Sequence, residues 1–297
     1  RAITSVQVPL ILKEKEQIIR NGKLLEFYHP DQNFNAIGGM DNLKAWLKKR
    51  GKGFGEDARA FGLEPPKGVL LLGVQGCGKS LTAKAIAQEW QLPLLRFDLG
   101  KVFAGIVGQS ESNIREALKV AETLSPCVLW IDEVEKGLSG LGSSDMTDGG
   151  TSARVFGTFL TWMQEKDKPV FVIATANDIS KLPPEFLRKG RFDEIFFVDL
   201  PTKKERVEIF KIHLARKRPK EQNFNVDEYA GKTVGYSGAE IEEIVNEGLY
   251  IAYNEGRELG DDDILEAITS LVPLSSMMRE EITDLRVWAK ARARLAS

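Results

Sequence analysis

Val69-Leu70-Leu71-Leu72-Gly73-Val74-Gln75-Gly76-Cys77-Gly78-Lys79-Ser80 is the stretch on which the reading of this chain turns. Four apolar residues predict a buried strand, and the G-x-x-x-x-G-K-S run after it has the form of a phosphate-binding loop that opens a helix. Glycine at 73, 76 and 78 lets successive backbone N–H groups turn inward around phosphate oxygens, where a Cβ would obstruct them. Lys79 adds a mobile positive charge for the β and γ phosphates, Ser80 offers a hydroxyl to magnesium, and the helix N-terminus favours the anion. Val74, Gln75 and Leu81 complete the loop and the first turn. Cys77 puts a thiol among inward-pointing N–H groups, which would lower its pKa and make it oxidisable; the plainer alternative is a small residue filling a turn.

Working outward, short apolar runs alternate with helical periods, the pattern of a parallel sheet covered by helices. Five strands are expected: Val69–Leu72, Leu94–Asp98, Cys127–Asp132, Val170–Ala176 and Glu194–Val198. Ile114, Ala117, Leu118, Ala121 and Leu124 mark the buried stripe of one covering helix, and Val155, Phe159 and Met163 that of another. After Pro201 the strands stop. A helix carrying Val207, Ile209, Phe210 and Leu214 comes first, and Ser237-x-x-Glu240 has the form of a capping box before a helix buried along Ile241, Ile244, Val245, Leu249 and Ala252. Helices near Asp263–Leu271 and Arg279–Leu295 finish the chain. Upstream, a helix over 9–20 and a short strand over Leu24–Tyr28 form a lead-in, and Asp41 is placed to cap the helix holding Leu43, Trp46 and Leu47. The Gly- and Ser-rich stretch Gly137–Gly150 reads as a loop. This divides the chain into a lead-in over 1–34, an α/β domain over 35–200 and a helical domain over 201–297.

The third strand ends in Asp132-Glu133, two carboxylates with separate work. Asp132 suits magnesium, and Glu133, projecting to the other side of the strand end, suits the base that polarises an attacking water. A lone Asp-Glu pair would be a solvated strand end; with a phosphate loop in the same chain it is chemistry. The fourth strand ends at Asn177, an amide placed to orient water between Glu133 and the γ phosphate. Arg188 and Arg191 lie beyond that strand, where reaching the same chain's phosphate is difficult. They act either on a neighbouring subunit's phosphate or as surface salt-bridge residues, and the residues alone leave both open.

Composition is that of a chain that folds in water: 42% apolar and 28% charged residues. Its 41 basic and 43 acidic side chains nearly cancel, so no whole-molecule field attracts a phosphate polymer, and nucleic acid is not the expected partner. The basic runs Lys48, Lys49, Arg50, Lys52 and Arg216, Lys217, Arg218, Lys220 read as solvated faces. Only Cys77 and Cys127 are present, one in the phosphate loop and one opening a strand, which disfavours a disulfide and fits a reducing compartment. No membrane span or secretory signal is evident, and a start at Arg1 is expected of a fragment or processed product.

Taken together, these motifs resemble the AAA ATPases of the AAA clade proper, over roughly residues 35–255. Asn35-Ala36-Ile37-Gly38-Gly39 resembles the adenine-side motif and Asn177 falls at the sensor 1 position. Leu187-Arg188-Lys189-Gly190-Arg191-Phe192-Asp193 resembles the arginine-finger segment. Ile209-Phe210-Lys211-Ile212-His213 resembles the lid helix whose histidine approaches the nucleotide, and Gly235-Tyr236-Ser237-Gly238-Ala239-Glu240 the lid turn that packs on adenine. The resemblance thus implies nucleotide contacts at Ile37, Gly38, His213, Gly238 and Ala239, and fingers at Arg188 and Arg191 acting in trans. It also implies a P-loop NTPase α/β core with a five-stranded parallel sheet in the order 5-1-4-3-2 and a C-terminal α-helical lid. ATP or ADP with Mg2+ would be the ligands, and a homo-oligomer, in the form of a hexameric ring, the working state.

Asn42-Leu43-Lys44-Ala45-Trp46-Leu47, Gly78–Ala87 and Gly190–Pro201 are similar to the AAA proteins encoded as a hypothetical reading frame in plastid and cyanobacterial genomes. That places the chain in the cytoplasm, or in the plastid stroma if plastid-encoded. Departures from the clade's pattern are Cys77, Val134-Glu135, and Ile106 in the segment Gly105–Glu111, where protein-threading members carry an aromatic residue. The expected activity is ATP hydrolysis that remodels a protein client. The rival readings are a scaffold set by its ATP state, and a nucleic-acid motor.

Overall fold

The computed structural model describes residues 24–29, 32–99, 110–138, 149–188, 190–218 and 223–297. The helix expected over 9–20, Ile106 with most of its segment, Lys189, Lys220 and the middle of the Gly- and Ser-rich stretch lie outside the described residues.

The strands are β1 (Leu25–Tyr28), β2 (Gly68–Gly73), β3 (Leu94–Phe97), β4 (Cys127–Ile131), β5 (Val170–Ala176), β6 (Glu194–Val198) and β7 (Arg294–Leu295), in the spatial order β1-β3-β4-β5-β2-β6-β7. Counting only the five strands read from sequence, the order is 5-1-4-3-2, as expected. Two edge strands extend it. The first, β1, pairs antiparallel with β3, Leu25 opposite Phe97, whereas β3 with β4, β4 with β5 and β5 with β2 are parallel. At the other edge, the final helix is shorter than expected: it ends at Arg292, and Arg294–Leu295 is strand. The reason lies in the hydrogen bonds on offer, since Ala296 donates to Phe197 O at 3.0 Å and accepts from Leu43 N at 3.1 Å. The expected helix at Asp263–Leu271 spans Asp261–Ser270, and Pro273 leads into a further short helix, Leu274–Met277. Gly137 belongs to a helix, Val134–Leu138, and Gly149–Glu165 is helical, so both ends of the stretch read as a loop are helix.

The chain resolves into two compact units. One comprises 1–33, 46–72 and 83–196; the other comprises 34–45, 73–82 and 197–297. In the first, every residue of β2, β4 and β5 is buried, which is why those strands read as continuous apolar runs rather than alternating ones. Helix Ser110–Thr123 buries Ile114, Ala117, Leu118 and Ala121, the predicted stripe. Asp193 Oδ2 accepts from Lys67 N (2.8 Å) and Gly68 N (3.0 Å), so a carboxylate takes up the first backbone donors of β2.

The second unit packs Phe210, Leu214, Tyr229, Ile241, Ile244, Val245, Ile264 and Ile268 into one apolar cluster. Its helices begin on reciprocal caps. Ser237 and Glu240 form the expected capping box for Gly238–Asn254, and Thr202 with Glu205 forms another for Lys203–Lys217. Of the predicted stripe on Lys203–Lys217, Phe210 and Leu214 are buried while Val207 and Ile209 are half-buried. The buried Arg206 guanidinium beside them donates to Ala230 O (3.1 and 2.8 Å) and Pro201 O (2.7 Å). No helix among the described residues is long and apolar enough to cross a membrane.

Candidate nucleotide site

The phosphate loop belongs to the second unit. Gly73, Gly76 and Gly78 all have positive φ (153°, 75° and 84°), conformations that L side chains rarely adopt. A Cβ at Gly76 would stand 2.8 Å from Ser237 Oγ and 3.2 Å from Ala239 Cβ. The loop is also tied by its backbone: Val74 N donates to Val198 O at 3.0 Å, and Ala239 N to Gly76 O at 2.9 Å. Gly238 and Ala239, implicated by resemblance alone, thus sit against the loop. Lys79 is buried with its Nζ donating to Gly73 O (2.8 Å) and Val74 O (2.7 Å), so the ammonium lies across the loop. Ser80 and Leu81 are half-buried in the first turn, and Gln75 is exposed.

In the same unit, the Ile37–Met40 turn is held from the Lys203–Lys217 helix. Gly39 N donates to Glu208 Oε2 at 2.9 Å and Met40 N to Glu205 Oε1 at 3.3 Å, while Lys44 Nζ reaches Ile37 O at 2.6 Å. A Cβ on Gly38 would stand 2.6 Å from Ile209 Cγ1, so only glycine allows this approach. Further along that helix, His213 Nδ1 is buried without a hydrogen bond; Glu242 Oε1 is 3.7 Å away. Burial holds the imidazole below the ordinary histidine range, against the pull of Glu242.

Of the two readings of Cys77, the structure favours the plainer one. Burial pushes its thiol up to about 12, and Lys79, the nearest opposing influence, does not offset it. Inward N–H groups would stabilise a thiolate, but removing the sulfur from water costs more here. The residue fills a turn.

The acids belong to the first unit. Ile131, the last residue of β4, is in register with Ala174 of β5, which brings Asp132 and Glu133 level with the end of β5 at Thr175 and Ala176. Thr175 Oγ1 accepts from Glu133 N at 2.9 Å and donates to Asp132 Oδ1 at 2.6 Å. Asn177 Nδ2 donates to Glu133 Oε1 at 3.2 Å, and Asn177 N to Glu135 Oε1 at 2.9 Å. Lys136 Nζ lies 2.6 Å from Glu133 Oε2. Sequence reasoning named Asp132, Glu133 and Asn177 but missed Thr175, Glu135 and Lys136. Of these, only Glu135, a departure at a motif position, had left a trace in the sequence. Arg188 is exposed, 3.7 Å from Glu185 Oε1, and Arg191 is half-buried, its Nη1 lacking a hydrogen-bond partner among the described residues.

Two observations bear on what these residues fit. The loop turns through three positive-φ glycines whose Cβ atoms would meet their neighbours, and it carries one buried ammonium, features that suit a phosphate loop. In the second unit Ser80 offers a hydroxyl and in the first Asp132 a carboxylate, each a hard oxygen donor of the kind that magnesium takes.

Comparison with known proteins agrees. Residues 69–200 match the "ATPase family associated with various cellular activities (AAA)", and residues 223–267 match the "AAA+ lid domain". The "Uncharacterized AAA domain-containing protein ycf46" of Pyropia yezoensis is 53% identical over 297 residues, 99% of this chain and 60% of the relative. That of Guillardia theta is 50% identical over 299 residues, 100% of this chain and 59% of the relative. A "Cell division cycle protein 48 homolog" of Archaeoglobus fulgidus is 36% identical over 234 residues, 76% of this chain and 31% of its own length. The chain therefore spans about three-fifths of the length of the ycf46 relatives that it matches. With an AAA module and its lid together covering more than half of its residues, the chain belongs to the AAA ATPase family.

Proposed function

We propose that this protein hydrolyses ATP in a homo-oligomeric ring, a hexamer by analogy with its family, and uses the cycle to remodel a protein client. The single observation that carries the hydrolytic reading is the 3.2 Å hydrogen bond from Asn177 Nδ2 to Glu133 Oε1, which joins the amide assigned to water to the carboxylate assigned as base. In this reading the loop Gly73–Ser80 binds the phosphates, with Lys79 on the β and γ groups. Ile37, Gly38, His213, Gly238 and Ala239 hold the base and sugar. Magnesium, held by Ser80 and Asp132, supplies charge neutralisation on the phosphates when bound. Glu133 takes the proton of the attacking water while Asn177 orients it, and Arg188 and Arg191 act on the neighbouring subunit's nucleotide. The α/β domain over 35–200 and the helical lid over 201–297 divide this work.

A protein rather than a nucleic acid is the proposed client because the net charge of -2 provides no field for a phosphate polymer. The proposed location is the cytoplasm, or the plastid stroma where the chain is plastid-encoded. The test of the chemistry is a pair of variants. Glu133→Gln is expected to bind ATP normally and to lose about 10² to 10⁴ in turnover, the usual contribution of a positioned base. Lys79→Ala is expected to lose binding itself. Undiminished hydrolysis by Glu133→Gln removes the base assignment.

A further inference from the structure

Six of the seven residues of β5 are Val170, Phe171, Val172, Ile173, Ala174 and Ala176, all buried and apolar; the seventh, Thr175, is 1% exposed. A valine would fill the same space without desolvating a hydroxyl, an unnecessary cost unless the oxygen is used. It is used twice, and by the two residues assigned to the chemistry. A backbone N–H can only donate, so the contact with Glu133 N makes Thr175 Oγ1 an acceptor there, and its own proton goes to Asp132 Oδ1.

Glu133 needs such a partner. Its φ is +48°, a left-handed conformation that a residue with a Cβ adopts only at a cost. Two residues after Thr175, just past the end of β5, Asn177 holds Glu133 Oε1. Thr175 of β5 and Asn177 just after it thus hold Glu133 at both ends, Thr175 by the backbone and Asn177 by the carboxylate.

We infer that Thr175 is a positioning residue, whose hydroxyl fixes the backbone of Glu133 and the carboxylate of Asp132 so that base and metal ligand face their tasks. This rests on the ATPase reading above. Thr175→Val keeps the shape of the side chain and removes the hydroxyl. It is expected to lower kcat by about 10- to 100-fold, the scale of a misplacement near 1 Å, with the KM for ATP little changed. A second reading needs no nucleotide: the Glu133 amide, followed by hydrogen exchange in the free protein, should exchange faster in Thr175→Val than in the wild type. Thr175→Ser should restore both. If Thr175→Val does not fold, Thr175→Ala takes its place under the same two measurements. Wild-type kcat, unaltered exchange at Glu133, or a serine variant as impaired as the valine one overturns the inference. Full turnover by Glu133→Gln would overturn the base assignment and this inference with it. Loss of turnover there beside a normal Thr175→Val would overturn this inference alone.

Discussion

At the residue scale, the parts that could be read in the sequence are those whose chemistry admits few residue types. Gly76, Gly78, Lys79 and Ser80 each meet a demand of phosphate binding that other residues fail, so their identity and spacing carry the message. Thr175 carried none, since a threonine in an apolar strand is ordinary and its partners lie 42 and 43 positions away. Nor did Glu205, which accepts from Met40 N across 165 positions. Cys77 carries a real local effect that burial outweighs, which leaves the plainer of its two readings. With the thiol pushed up to about 12, its thiolate fraction near pH 8 is about 10³ lower than that of a free cysteine near 8.5. A Cys127→Ala variant, leaving Cys77 alone, should therefore react with a thiol reagent at least 10²-fold more slowly folded than unfolded. Rapid native labelling that ATP suppresses would restore the reactive thiol.

At the scale of elements, the five buried strands and their helices were legible because apolar runs and helical stripes are periodic. The edges were not. β7 is two residues long and exposed, and exists through main-chain bonds from Ala296 to Phe197 O and from Leu43 to Ala296 O, which leave no side-chain pattern. Helix Asp261–Ser270 shows what sequence can suggest but not resolve. Three aspartates open it, and only Asp263 is buried, accepting from Gly260 N at 2.8 Å and from Arg257 Nη1 and Nη2 at 2.6 and 2.5 Å. The Arg257 hydrogen bonds hold its carboxyl below the usual range, against its burial. A depressed folded-state pKa stabilises above the unfolded value, about 4, and that contribution is lost as pH falls through the folded value. Asp263→Asn should thus cost on the order of 1–2 kcal/mol at pH 7 in urea denaturation, with the gap from wild type narrowing in acid. Equal stabilities at pH 7 would show that the carboxylate holds nothing together.

At the scale of the whole molecule, the two compact units interleave along the chain: 34–45 and 73–82 join 197–297, and the segments between them join the other unit. A boundary drawn by composition follows the chain and does not see this. Whether one chain suffices for catalysis is a separate matter, and it turns on the arginines. Arg188 has its side chain 70% exposed beside Glu185, and an exposed pair of this kind contributes little to folding, so solvent exposure here leaves the guanidinium available to another subunit. If the fingers act in trans, activity per subunit rises with concentration as subunits assemble. Arg188→Ala alone should then lose about 10³ or more, and Glu133→Gln alone about 10² to 10⁴. Mixed, the two should recover activity, because a subunit with an intact base can meet a neighbour with intact fingers. In a head-to-tail ring of equal parts, about a quarter of the interfaces would have that pairing. Recovery near that fraction, measured as steady-state phosphate release, supports catalysis across the interface. Activity per subunit that stays constant through dilution into monomers, or no recovery on mixing when the two variants are shown to co-assemble, would mean that each chain hydrolyses ATP by itself.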